Sequence, residues 1–380
     1  MRMLKIFLKS LKEQARDWTT TSLSLVIGPC FVLLYWLMIP SGSTTYGVMV
    51  LDYDQGPAGQ EVIAVMETLS YSSGDPILDV APVTDQEKAK SALRDRDAEV
   101  LVIIPEDFSE TLTAAALGNG SANSSVTFVG DLTNPYYAIG AIMANAAIEE
   151  YVQQATGETR TVAIKEIALG ASAGRSEFEL YVPGMLIISV VMLVFTASMA
   201  ITYEVEAGTL RRLQITRMTA FDLLTGISLS VILLGILSML LTLLVAMALG
   251  FESQGPIWAA ILVAAVTTVS VVGVGLVVAA FSKSVSQAFI IANFPLIFFM
   301  FFSGAVYPIP RIQLFEVAGQ FVSIYDVIPP THAVVALNKI LTLGAGPADV
   351  LYELVSLVVL SVVYFAIGTW LFHRRHMRVS

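Results

Sequence analysis

This sequence has little charge, little histidine and almost no cysteine. Only 14% of its 380 residues are charged and 56% are hydrophobic, with a mean hydropathy of +0.74, whereas soluble domains carry about 25% charged residues. An integral membrane protein is therefore expected. The net charge of -10 leaves no broad basic surface for nucleic acid. The lone Cys30 has no intrachain partner for a disulfide and, lying inside the first apolar run, reads as a small buried hydrophobe. None of the 3 histidines falls between residues 41 and 178, and no G-x-S-x-G or paired-ligand spacing occurs there, so neither a catalytic nor a metal site is expected. There is also no G-x-x-x-x-G-K-[ST], nor any Gly-Lys pair, so the chain has no phosphate-binding loop with which to hydrolyse a nucleotide.

What is abundant is long apolar runs. Six of them, at about residues 21–40, 182–202, 223–250, 257–281, 285–307 and 351–372, are each long enough to cross a bilayer. The first is too long, and lacks a convincing small-residue cleavage pattern, for a removable signal peptide. Basic residues set the orientation: Arg2, Lys5, Lys9, Lys12 and Arg16 precede the first span, and Arg374, Arg375 and Arg378 follow the last. Both termini are expected in the cytoplasm, which places the Arg211–Arg217 connection and the Ser282-Lys283-Ser284 turn inside too. Residues 41–180 are then outside, and their 21 Asp and Glu against 7 Lys and Arg account for the acidity of the whole chain. Trp18, Trp36, Trp258 and Trp370 all fall near span ends, where amphipathic rings favour the headgroup level.

Residues 1–18 carry Leu4, Phe7, Leu8, Leu11, Ala15 and Trp18 at helical spacing, with lysines opposite, and read as an amphipathic helix on the inner membrane surface. The first transmembrane helix follows at 19–40, and residues 181–380 hold the other five. Between them, GVMVLDY, ILDVAP, EVLVIIP and SSVTFVGD read as strands alternating with three helical segments, and a longer helix runs from about Pro135 to Gly157. This predicts an inserted extracytoplasmic α/β domain with a small mixed sheet. Thr84 and Glu87 have the spacing of a capping box for its second helix. Asp52, Asp54 and Asp131 sit just after strands, as solvated turn acids or as a ligand-facing edge.

The spans themselves contain almost no ionisable residue; Asp222 and Glu353 sit at edges. Ion-coupled carriers need such groups at mid-membrane, which disfavours secondary transport, and no charged ring or TVGYG-like filter suggests a channel. Gly273, Gly275 and Ser270 permit close helix packing. Asn293 and Pro295 in the fifth span, with Phe298 and Phe302 beyond them, mark either a kink or a substrate path. After that span, residues 303–345 are too broken by Pro308, Pro310, Pro329 and Pro330 to cross again and too apolar for a free loop, so short helices re-entering the outer leaflet are expected. His332 reads as a local hydrogen-bonding partner.

The connection between the second and third spans, YEVEAGTLRRLQITRMTAFDLLTG, packs charge into an otherwise apolar chain. Its Leu210, Leu213 and Arg217 have helix-compatible spacing, and its mixed charges suit a protein groove better than a lipid surface. A cytoplasmic docking helix follows from the sequence alone.

Within it, Glu206-Ala207-Gly208-Thr209-Leu210-Arg211-Arg212-Leu213, preceded by Glu204 and followed by Thr216, Arg217 and Leu224-Thr225-Gly226, resembles the motif after the second span of ATP-binding-cassette type-2 export permeases. Phe301-Phe302-Ser303-Gly304, Tyr307-Pro308-Ile309 and Ile328-Pro329-Pro330-Thr331 are similar to that family's outer re-entrant segment. VLDYDQG and AEVLVIIPEDFSETL look like the variants with a large external domain between spans one and two. Many relatives have Thr-Pro where Thr216-Arg217 stands, so the end of the docking helix is shaped differently here.

The resemblance implies ATP-driven export from the inner membrane, with residues 204–220 as the coupling helix. ATP and Mg²⁺ would be bound by a separate cytoplasmic ATPase, and this chain would hold no cofactor. A second permease copy or paralogue would form a dimer whose path the second and fifth spans line. An uncharged interior favours lipid-like or amphipathic substrates, and the outer domain could meet an envelope partner. The competing reading is a membrane-anchored binding or assembly protein, for which six spans and a charged docking loop would be superfluous.

Overall fold

The computed structural model describes residues 2–38, 44–54, 56–71, 74–95, 97–118, 123–132, 134–157, 176–209, 219–307, 309, 312–317 and 320–377. The chain divides into two compact units, one formed by residues 1–39 with 168–380 and the other by residues 40–167.

The smaller unit is α/β. Strands β1 (Tyr46–Asp52), β2 (Leu78–Val83), β3 (Val100–Ile104) and β4 (Thr127–Val129) form one sheet in the order β2-β1-β3-β4. β1 runs parallel to β2 and β3, and β4 is antiparallel to β3, giving the mixed sheet expected from the alternating segments. Parallel strands covered on both faces read as continuous apolar runs. On one face Val48, Val50, Val100 and Val102 pack with α3 (Pro57–Thr68), α5 (Phe108–Ala116) and α6 (Pro135–Thr156). On the other, Met49, Leu51 and Leu101 meet Ala89 and Leu93 of α4 (Gln86–Asp95). Asp85, rather than Thr84, caps α4: its Oδ1 accepts from the amides of Glu87 at 3.0 Å and Lys88 at 3.3 Å. The capping-box expectation misplaced the start of this helix by one residue, because an aspartate can satisfy the first-turn amides as well as a threonine can. Asp54 accepts from Ser109 N and Oγ at 2.9 and 2.6 Å, so this acid ties the turn after β1 to the first turn of α5.

Among the described residues the larger unit contains six helices long and apolar enough to cross a membrane, and the protein is a multi-pass membrane protein. They are α2 (Trp18–Met38); α7 (Glu177–Val191) continued by α8 (Leu193–Glu206) as the second span; α9 (Ala220–Ala248); α10 (Ile257–Phe281); α11 (Val285–Phe302); and α13 (Leu351–Phe372). α10 lies at the centre, and its glycines act as the sequence suggests. A Cβ on Gly273 would lie 2.8 Å from Phe365 N of α13, and one on Gly275 would lie 2.7 Å from Ala197 Cβ of α8. Ser270 and Ser361 hydroxyls bond across the first of these seams at 2.6 Å. Cys30, expected to be buried, is exposed on α2, because the first span turns most of its surface away from the rest of this chain.

The fifth helix stops at Phe302, earlier than the apolar run, because Gly304 takes the left-handed conformation (φ +79°) and turns the chain. The following stretch was expected to form short helices only. It begins instead with a hairpin of β5 (Gln313–Val317) and β6 (Gln320–Ser323) and then enters α12 (Pro329–Leu337), whose first turn takes both prolines. The apolar face of α12 is buried within the bundle.

Ahead of the first span lies α1 (Arg2–Arg16). It docks on α9 through a stripe of Ile6, Ser10 and Gln14, four residues apart. Gly226 makes room for it, since a Cβ there would meet Ile6 Cβ at 2.7 Å. Ser10 Oγ pairs with Ser230 Oγ at 2.7 Å, and Gln14 Nε2 donates to the same hydroxyl at 3.1 Å. Leu4 and Leu8 remain exposed on another side, as an interfacial helix requires.

Candidate functional site

The charged connection begins where α8 ends, and the described part of it is held at three points. Glu204, two residues before the helix end, is 3% exposed. Its Oε1 accepts from Lys9 Nζ of α1 at 2.7 Å, while Lys9 also lies 3.4 Å from Glu13. Burial pulls the Lys9 ammonium down, but hydrogen bonding and charge from Glu204, aided by Glu13, outweigh it and hold the group above its ordinary value.

Two residues on, exposed Glu206 accepts from the amide of Val285 at 2.7 Å, the first residue of α11. A helix N-terminus has unsatisfied amides and a positive dipole end, so a carboxylate fits there. Ser284 Oγ accepts from Gln287 N at 3.3 Å and serves the same turn. Finally Gly208, at φ +68°, ends α8 by donating its amide to Val205 O at 3.1 Å. Thr209 is half-buried beside it. Leu210, Arg211, Arg212, Leu213, Thr216 and Arg217 lie outside the described residues.

Along α11, Pro295 removes one backbone donor and Asn293 Nδ2 donates to Phe289 O at 2.9 Å and Ile290 O at 3.4 Å. The amide is thus engaged with carbonyls of its own helix, but not with that of Ile291, the one Pro295 leaves without its usual donor. Phe298 and Phe302 are exposed on this helix with centroids 5.7 Å apart, and Phe302 stacks on Tyr325 at 6.0 Å. These rings form an aromatic face, open at Phe298 and partly covered by Tyr325 at Phe302.

The re-entrant motif residues come together at the end of this face. Ser303 Oγ accepts from Ala305 N at 3.2 Å, and Gly304 supplies the turn. Tyr307 lies near Phe301, with centroids 6.4 Å apart. Thr331 Oγ1 donates to Tyr325 O at 3.1 Å, Pro329 and Pro330 open α12 beside it, and His332 Nε2 is 3.0 Å from Asp326 O. Pro308 and Pro310 lie outside the described residues.

Sequence reasoning did not find the Lys9–Glu204 and Ser10–Ser230 contacts, nor the Lys339–Glu353 pair at 2.7 Å, in which Glu353 is buried. No local spacing betrays any of these. Lys9 looks like every other lysine on the polar face of α1, and Lys339 meets Glu353 only through the turn that separates them.

Six apolar helices among the described residues, with the end of α8 tied to α1 and α11, fit a multi-pass membrane subunit. The sequence profile of the ABC-2 family transporter proteins matches residues 17–370, and the chain belongs to that family. It is 21% identical over 384 aligned residues to the probable multidrug ABC transporter permease YbhS of Escherichia coli K12, covering 99% of this chain and 97% of that protein. The protein of the same name from Escherichia coli O157:H7 matches to the same extent. No solved structure matches significantly. The resemblance to ATP-binding-cassette type-2 permeases is therefore correct, and membership implies in general an ATPase partner and a dimeric arrangement.

Proposed function

We propose that this permease subunit exports an amphipathic or lipid-like molecule across the inner membrane, driven by ATP and Mg²⁺ held on a separate cytoplasmic ATPase. In this reading both termini are cytoplasmic, residues 41–180 are outside, and residues 204–220 are the coupling helix that receives the ATPase. A second copy or a paralogue completes the path, with the aromatic face of α11 and the second span lining it. The designation of the Escherichia coli relatives as multidrug permeases favours an amphipathic substrate.

The observation that carries the reading is the pair of ties at the root of the coupling segment, Glu204 to Lys9 and Glu206 to Val285 N. A displacement of residues 207–218 would pull on the surface helix through the first and on the fifth span through the second. A helix that only anchored an outer domain would need neither.

Gly208 offers the direct test. Among the described residues no atom lies within 4 Å of where its Cβ would be, and Gly208→Ala introduces backbone strain of about 1–2 kcal/mol for a non-glycine residue in the left-handed region. In proteoliposomes holding the permease with its ATPase, Gly208→Ala and Leu210→Asp are expected to abolish substrate-stimulated ATP hydrolysis, with membrane insertion unchanged. Undiminished stimulation in both variants would overturn the coupling-helix assignment and favour the anchored binding protein.

A further inference from the structure

Between α9, α10 and α13 lies a groove of about 580 Å³, within the range of about 300–1,000 Å³ usual for small-molecule sites. Phe221, Val269, Val362, Phe365 and Ala366 make its walls apolar. Ser361 lines one end, where its hydroxyl is engaged with Ser270 Oγ at 2.6 Å and donates to Val266 O at 3.1 Å, so the polar atoms there are taken up within the bundle. At the other end stand Trp370 and His373, and the Arg374 guanidinium lies 5.5 Å from the centre of the Trp370 ring. The groove is thus an apolar slot with cationic groups at one mouth.

Length and charge both select the occupant. From Ser361 to His373 the helix rises about 18 Å at about 1.5 Å per residue, a little over half of a hydrocarbon core of about 30 Å. Ser361 is at the middle of α13 and His373 just past its end, so the groove runs the depth of one leaflet. Its mouth carries cation without acid: His373 and Arg374 are exposed, and neither makes an ion pair among the described residues. Asp222, beside Phe221, is engaged in the cap of α9, accepting from Thr219 N and Oγ1 at 3.1 and 2.9 Å. Stacking on Trp370 covers one face of the Arg374 guanidinium and leaves the N–H groups in its plane free to grip a phosphate.

We propose that this groove holds one anionic phospholipid of the surrounding bilayer, with an acyl chain along Phe365 and Ala366 and its phosphate at Arg374 and His373. A basic pocket between spans attracts an anionic head group, and here the apolar slot behind it fixes where the chain must lie. A zwitterionic phospholipid brings the same phosphate with a cation of its own, which Arg374 opposes. The proposal rests neither on the export reading nor on the orientation of the chain, since binding requires no ATP and either leaflet can supply the lipid.

The test uses the full chain in phosphatidylcholine liposomes, with Trp18, Trp36 and Trp258 replaced by phenylalanine so that Trp370 at the mouth is the remaining tryptophan. Bromine atoms on an acyl chain quench a tryptophan that they touch. Phosphatidylglycerol with brominated chains is expected to quench Trp370 through a component that saturates at low mole fraction, whereas brominated phosphatidylcholine should quench only in proportion to its mole fraction. Arg374→Gln should move the saturable component to about fivefold more lipid. Arg375→Gln should move it less, because that guanidinium lies 4.0 Å from the Phe281 ring, outside the groove. Ala366→Phe, at an exposed position of the groove wall, should remove the component with Arg374 still in place. Three outcomes would each overturn the proposal: proportional quenching by both lipids in the parent protein, equal shifts for Arg374→Gln and Arg375→Gln, or no quenching by either lipid, as when a second copy of the chain covers the groove.

Discussion

At the residue scale, the buried carboxylates Glu204 and Glu353 are each answered by a lysine, Lys9 and Lys339. Lys9 and Glu204 differ in surroundings, one half-exposed and the other buried, and this makes their replacement asymmetric. Lys9→Met leaves a buried carboxylate without its cation, a loss of about 1–3 kcal/mol that the partial exposure of Lys9 moves toward the lower end. Adding Glu204→Gln removes the stranded charge and should restore part of the stability. Thermal unfolding of the detergent-solubilised chain measures both, and a double variant less stable than Lys9→Met alone would contradict the pairing. The sign of the pH effect follows from the raised Lys9 value. The stabilisation is fully present below the ordinary lysine value of 10.5 and is lost only as pH rises through the higher folded value, so the Lys9→Met deficit should stay constant across the neutral range.

At the element scale, α1 shows what a seam between a surface helix and a span requires. Gly226 lets the two backbones approach, and a side chain there would press on Ile6 Cβ and on Met3 O at 3.1 Å. Gly226→Leu should therefore lift α1 from α9 while leaving α9 in the membrane. Trypsin should then cut after Lys12 and Arg16 several-fold faster than in the wild type, with the membrane-embedded fragment unchanged; equal cleavage rates would show that the seam does not hold α1. Much of this architecture was legible beforehand, for reasons that differ by element. Long apolar runs gave the spans, because hydrocarbon thickness sets their length, and alternation of strand-like and helix-like segments gave the mixed sheet. The Ile6, Ser10 and Gln14 stripe was hidden, because two of its residues are polar and bind hydroxyl and helix rather than lipid. The β5–β6 hairpin was hidden by the prolines around it, which argue against a span without saying what replaces it. Of the candidate site, the Glu206–Gly208 helix end was legible as a motif, but the partners of Glu204 and Glu206 were not, since Lys9 and Val285 are distant in sequence.

At the scale of the whole molecule, the separation of charge argues for one orientation. Residues 41–180 hold 21 acidic and 7 basic residues; the rest of the chain, by subtraction from totals of 31 and 21, holds 10 and 14. The basic excess sits at span ends, the part of a sequence that insertion reads, and the acidic excess sits in a long connection, which crosses largely regardless of its charge. If all six helices cross, their even number would place both termini together and opposite the acidic connection. Replacing Cys30 with serine and introducing Ser124→Cys or Lys283→Cys converts this into an experiment. Ser124 precedes β4 in the smaller unit, and Lys283 lies in the turn between α10 and α11, exposed and next to the Glu206–Val285 contact. A membrane-impermeant maleimide applied to intact spheroplasts should label Ser124→Cys and spare Lys283→Cys until the membrane is opened. Labelling of Lys283→Cys in sealed spheroplasts would invert the topology and place the root of the coupling segment outside, where no cytoplasmic ATPase could reach it.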